Sequence, residues 1–148
     1  MEAIPDWFWS ALAAARPSLA ALEAWLEAQP REVVERFAAA YDAAAGELVD
    51  DYSDGVEVDG IVWSEDSAED LCAWVVGQGR DFWGRVVDGT WSLAEVADAY
   101  LDRPSPLGAA AVRWDTAVSH PDHRGYQAPW AIAYGVYRTR FGEELTEA

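Results

Sequence analysis

The sequence predicts a mainly α-helical, compact, bundle-like single domain of about six helices, with an acidic loop that contains a short strand. Three observations predict it. Apolar residues recur at helical spacing in several separate segments. Proline, glycine and short capping side chains fall between those segments. No Pro/Gly/Ser-rich linker and no internal repeat divides the 148 residues, a length that buries a core without staples.

The organising stretch runs from Ser64 to Arg85. Asp66 or Ser67 is placed to cap a helix, because a short side-chain oxygen accepts from a free N–H of the first turn. Glu69 and Asp70 then sit where the helix dipole favours negative charge. Leu71, Trp74, Val75, Gln78 and Phe82 follow on one helical face, with Gln78 its only polar member. Gly77, Gly79 and Gly84 interrupt that helix, and each glycine costs about 1 kcal/mol relative to alanine. Three reasons are open: close approach of another helix, a break after Gln78, or a ligand reaching the backbone.

The other elements read in order. Asp6 is placed to cap a first helix with Phe8, Leu12 and Ala15 inward, ended by Pro17. Ser18 begins a second, with Leu19, Leu22 and Leu26 on one side and Trp25 beside them. Pro30 suits the first turn of a third, whose stripe is Val33 or Val34, Phe37, Tyr41, Ala44 and Leu48. Asp50 to Gly55 is turn-rich, and Val56 to Trp63 alternates partly like a strand that has no obvious pairing partner. Its spaced acids lack the spacing and closing glutamate of a calcium loop. Asp88-Gly89 stops the central helix, and Ser92-Leu93-Ala94-Glu95 is a capping box for a fifth, which continues through Val96 and Tyr100. Ala109 to Val118 fits helix or strand, and Ser119 to Gln127 reads as loop. Trp130, Tyr134, Tyr137 and Phe141 form the stripe of a last helix, expected to face the core.

The net charge is −17, and all ten basic residues are arginine. Such a field repels a phosphate backbone, so no nucleic-acid partner is expected. No stretch reaches the apolar length of a membrane span, and the first residues carry no secretory pattern, so the expected compartment is the cytoplasm. The single cysteine, Cys72, excludes an internal disulfide and reads as a buried, inert thiol. Between Arg36 and Arg80 every charged residue is acidic. That run is either a solvated face or a docking surface for a basic protein, with Asp50, Asp51, Asp54 and Asp59 as the contact residues.

Catalytic signals are thin. His120, Asp122 and His123 are a possible nitrogen and oxygen ligand set for a metal, but Pro121 points to a surface turn and nothing upstream supplies further ligands. A dyad of Ser119 or Cys72 with a histidine and Asp122 lacks any oxyanion-hole motif. No phosphate loop or dinucleotide fingerprint is present, and no cofactor is expected. Arg80 reads as pinning an internal acid such as Asp66 or Glu69, or, together with Gln78, as recognising an anionic ligand or partner.

Several segments together carry a family resemblance: Phe8-Trp9-Ser10-Ala11-Leu12, Ser64-Glu65-Asp66, Trp74-Val75-Val76-Gly77-Gln78-Gly79-Arg80 and Gly142-Glu143-Glu144-Leu145. With them the chain resembles a bacterial uncharacterised family, domain of unknown function 4240. Trp-x-x-x-Gln-Gly-Arg is the most specific of the shared patterns. Val62-Trp63 stands where that family has Gly-Cys, and Glu65 replaces its first Asp. The resemblance implies a compact helical fold and transfers no activity or site. The resulting expectation is a non-catalytic protein-interaction or regulatory module. The alternative is a metal-dependent or small-ligand enzyme using His120, Asp122 and His123.

Overall fold

Helical periodicity and local caps place the first three helices where the apolar spacing puts them. The computed structural model describes residues 4–48, 57–58, 60–101, 107, 111, 114 and 128–143. Helix α1 (Asp6–Ala15) buries Phe8, Leu12 and Ala15, and also Trp9 and Ala11. Asp6 is not its cap. Pro5 holds that position in extended conformation without a side-chain bond, and Asp6 is the first helical residue. Helix α2 (Leu19–Glu27) is capped by Ser18, whose hydroxyl accepts from the Ala21 N–H at 3.1 Å. Its Leu19, Leu22 and Leu26 are buried. Pro30 precedes α3 (Arg31–Gly46) rather than lying within it, and its carbonyl accepts from the N–H groups of Val33 and Val34. Val34, Phe37, Tyr41, Ala44 and the following Leu48 have no exposed surface.

The extended segment finds its partner within itself. Strand β1 (Glu57–Val58) pairs antiparallel with β2 (Ile61–Val62), Val58 opposite Ile61 and Glu57 opposite Val62. The expectation of one strand lacking a partner therefore fails, because the chain turns back between Val58 and Ile61 with Gly60 in the turn. Gly60 has φ +79°, a conformation glycine adopts without steric cost.

The central stretch forms two helices, α4 (Glu65–Gly77) and α5 (Arg80–Val87). The start of α4 lies one residue before the expected caps, with the Ser64 carbonyl accepting from the Ala68 N–H at 3.0 Å. Helix α6 (Leu93–Tyr100) begins with the expected capping box, Ser92 and Glu95 bonding reciprocally. Helix α7 (Ala128–Phe141) completes seven helices among the described residues. The break at Gln78-Gly79 accounts for the extra one.

Two apolar clusters form the interior. One gathers α1, α2, α3 and α7 around Phe8, Leu12, Phe37 and Tyr41. The other gathers α4, α5 and α6 around Leu71, Val75, Phe82 and Val96. Helix α4 supplies both, Val76 to the first and Leu71, Cys72, Trp74 and Val75 to the second. A helix apolar on several sides belongs between two layers, and α4 has that place. Cys72 is buried there, as a small hydrophobe would be.

The aromatic stripe of α7 faces α3. Tyr137 is buried, whereas Trp130, Tyr134 and Phe141 are half-buried. Their polar atoms meet acids on α3. The Trp130 indole N–H donates to Asp42 Oδ1 at 2.9 Å, the Tyr134 hydroxyl to Asp42 Oδ2 at 2.7 Å, and the Tyr137 hydroxyl to Glu35 Oε2 at 2.8 Å. Asp42 thus belongs to an internal joint.

Candidate functional site

The Gly77-Gln78-Gly79-Arg80 turn is a junction of four parts of the chain. The last carbonyls of any helix lack intrahelical donors and must be satisfied elsewhere. At the end of α4, side chains from distant positions supply them. The Trp114 indole N–H donates to the Gly77 carbonyl at 2.9 Å, and one turn back the Tyr41 hydroxyl adds a bond to the Ala73 carbonyl at 2.7 Å. The Arg16 guanidinium donates to the Gln78 carbonyl. Burial, with the neighbouring Asp42 carboxylate, pushes the Tyr41 phenol well above its ordinary pKa, so it remains a protonated donor.

The three glycines have three different situations. A Cβ on Gly77 would lie 3.2 Å from the Tyr41 hydroxyl and 3.4 Å from Trp114 Nε1, so close approach governs that position. Gly79 has φ +104°, and the Arg16 guanidinium occupies the place a Cβ would take. The chain breaks there, and that space is filled by the protein's own cation. Gly84 lies inside α5 with nothing within 4 Å of a Cβ. Gly84→Ala is therefore expected to raise stability by about 0.4–1 kcal/mol, by restricting the unfolded chain. Urea unfolding checks this; a lowered midpoint would contradict it.

Arg80 pairs with the acid Asp6; the Asp66 side chain lies outside the described residues. The Arg80 Nη2 lies 2.6 Å from Asp6 Oδ1, joining the start of α5 to the start of α1. Both partners are well exposed, and such a pair contributes about 0–1 kcal/mol. Gln78 is 3% exposed, whereas Arg80 is exposed, so the two do not present one binding surface. Sequence reasoning missed Arg16, whose only local signal is its position as the first basic residue, just beyond α1.

Other arginines are also engaged internally. Arg31 donates to the Tyr137 hydroxyl at 3.0 Å, pairs with Glu143 at 2.5 Å and stacks near the rings of Tyr137 and Phe141. Arg140 donates to the Leu26 and Gln29 carbonyls, and Arg85 lies over Trp91. These contacts join α3 and α2 to α7, and the far end of α5 to the loop after it.

Asp50, Asp51, Asp54 and Asp59 lie outside the described residues, as do His120, Asp122 and His123. Among the described residues, no group of three or more His, Cys, Asp or Glu side chains is arranged to hold a metal. None of the described helices is long and apolar enough to cross a membrane. Inside the acidic stretch, the hairpin exposes Ile61 by 66% and Val62 by 63%. Those two residues were not singled out from sequence, although consecutive β-branched residues after Asp-Gly carry a hairpin signal.

No protein-family model, curated protein or solved structure matches this chain.

Proposed function

We propose that this protein is a non-catalytic, cytoplasmic interaction or regulatory module that docks a basic protein through its acidic segment, residues 42–70. The observation that carries this reading is the exposed pair Ile61 and Val62, set within a stretch that contains no basic residue. Apolar residues rimmed by like charges suit a partner of opposite charge. The internal engagement of Arg16, Arg31, Arg80, Arg85 and Arg140 supports the same reading, since these cations are committed to the fold. Asp42 contributes to the joint with α7, which moves the docking surface toward the residues after Leu48. Membership of the domain of unknown function 4240 family belongs to this proposal and rests on the Trp74 to Arg80 segment.

Changing Asp50, Asp51, Asp54 and Asp59 together to Asn is the direct test. At about 0.3–0.5 kcal/mol per exposed charge, four removed charges cost roughly 1.2–2 kcal/mol of binding. That is about an eight- to thirtyfold weakening for a labelled arginine-rich peptide, read by fluorescence anisotropy. Wild-type binding should also fall steeply as salt rises. Equal affinity of the wild type and the fourfold variant would remove the reading.

A further inference from the structure

We infer that the open edge of β2 accepts an added strand, and that its occupant is an extended segment with two adjacent apolar residues flanked by arginine or lysine. This rests on the docking reading above and names the partner's chemistry. Successive strand residues point to opposite faces. Ile61 and Val62 are both largely exposed, so neither face of β2 is covered by the described residues. Among the described residues the sheet has two strands, so no described residue pairs with the second edge of β2, while β1 lies against α6. Antiparallel pairs alternate between exchanging both hydrogen bonds and exchanging none. One of Ile61 and Val62 therefore aims its N–H and C=O at the open edge.

Edges of this kind are templates for pairing unless lysine, proline or a bulge blunts them. β2 carries two β-branched apolar residues and no lysine, proline or bulge; at two residues it is a short edge, so the strand it adds is short as well. A second copy is a poor occupant, since each chain carries a net charge of −17. With Asp42 set aside, ten acids and no base remain in the sequence between Arg36 and Arg80, and they call for a cationic segment. Because Ile61 and Val62 face opposite ways, their cross-strand neighbours are two consecutive residues of the partner, one on each face. Cations on either side of that pair then meet the acidic field.

Two labelled peptides of equal charge test this, Arg-Arg-Val-Ile-Arg-Arg and Arg-Arg-Gly-Gly-Arg-Arg, titrated at low salt into the full chain. The apolar peptide should bind about tenfold more tightly, the order given by partly burying two aliphatic side chains. Ile61→Thr/Val62→Thr keeps strand propensity and removes apolar surface, and it should abolish the preference. Hydrogen exchange should slow at the amide of residue 61 or 62 in the complex with the apolar peptide only. Equal binding of both peptides, unchanged in the Thr variant, would overturn strand addition and leave the acidic docking reading standing. Binding of neither would overturn both. A wild-type dimer lost in the Thr variant, with no peptide preference, would assign the edge to a second copy and also overturn the proposal.

Discussion

Phe8→Ala is expected to lower the unfolding free energy by about 3–5 kcal/mol, the range for removing a large aromatic side chain from a closed core. Phe8 has no exposed surface. Its ring lies 5.0 Å from those of Trp9 and Phe37, and 5.8 Å from that of Tyr41 at a right angle. Edge-to-face pairs add about 0.5–1.5 kcal/mol each beyond burial, so the upper part of the range is favoured. The cavity would open beside Tyr41, whose hydroxyl holds α4 through the Ala73 carbonyl. Loosening α1 therefore reaches α4, which serves both clusters, through one hydrogen bond. For a chain of this size, each kcal/mol moves the melting temperature by about 2–4 °C, giving a fall of roughly 6–20 °C. Ser10→Ala, on the exposed side of the same helix, should stay within about 0.5 kcal/mol. Urea unfolding followed by circular dichroism separates the two, and a Phe8→Ala cost below about 1 kcal/mol would refute the placement of this ring at the centre.

The parts of this fold legible in the sequence are those fixed by neighbours within one or two turns. Leu19, Leu22 and Leu26 share a side because 3.6 residues make a turn, and Ser92 meets Glu95 because a capping box spans three residues. The Gly77 to Arg80 turn is visible in the sequence as an anomaly, with close approach and a break among its three readings, but the groups that hold it are not. Its clasp comes from Arg16, Tyr41 and Trp114, which lie 62, 32 and 37 positions from the carbonyls they satisfy. No periodicity carries information over that range. Arg80 shows the same limit: its partner Asp6 stands at the start of α1, far from it along the chain. The hairpin was a different kind of miss. Asp59-Gly60 lies between two extended pairs and is a local turn signal, yet reading 56–63 as one alternating strand hid it. Of the candidate site, sequence supplied the sign of the charge. It did not supply the exposed Ile61 and Val62, because a β-branched pair has the same composition in a core strand as on an open edge.

Gly79→Ala should be the most damaging single change at the α4–α5 junction. Gly79 has φ +104° and ψ 174°, a region populated almost only by glycine, and forcing an L-residue into it costs about 1–3 kcal/mol. The new methyl group would also displace the Arg16 guanidinium, which fills that space while donating to the Gln78 carbonyl. Losing a hydrogen bond from a charged donor adds about 1.5–3 kcal/mol. The total is roughly 2.5–6 kcal/mol, opposite in sign to Gly84→Ala five residues later. A double-mutant cycle separates the two contributions. In an Arg16→Ala background the methyl group meets no guanidinium, so Gly79→Ala should cost only the backbone strain, about 1–3 kcal/mol. The coupling between positions 16 and 79 should then be about 1.5–3 kcal/mol. Additive costs would mean that Arg16 does not clasp this turn. A coupling of the expected size would show that the break between α4 and α5 is held from α1, and that the glycine is there to admit an arginine.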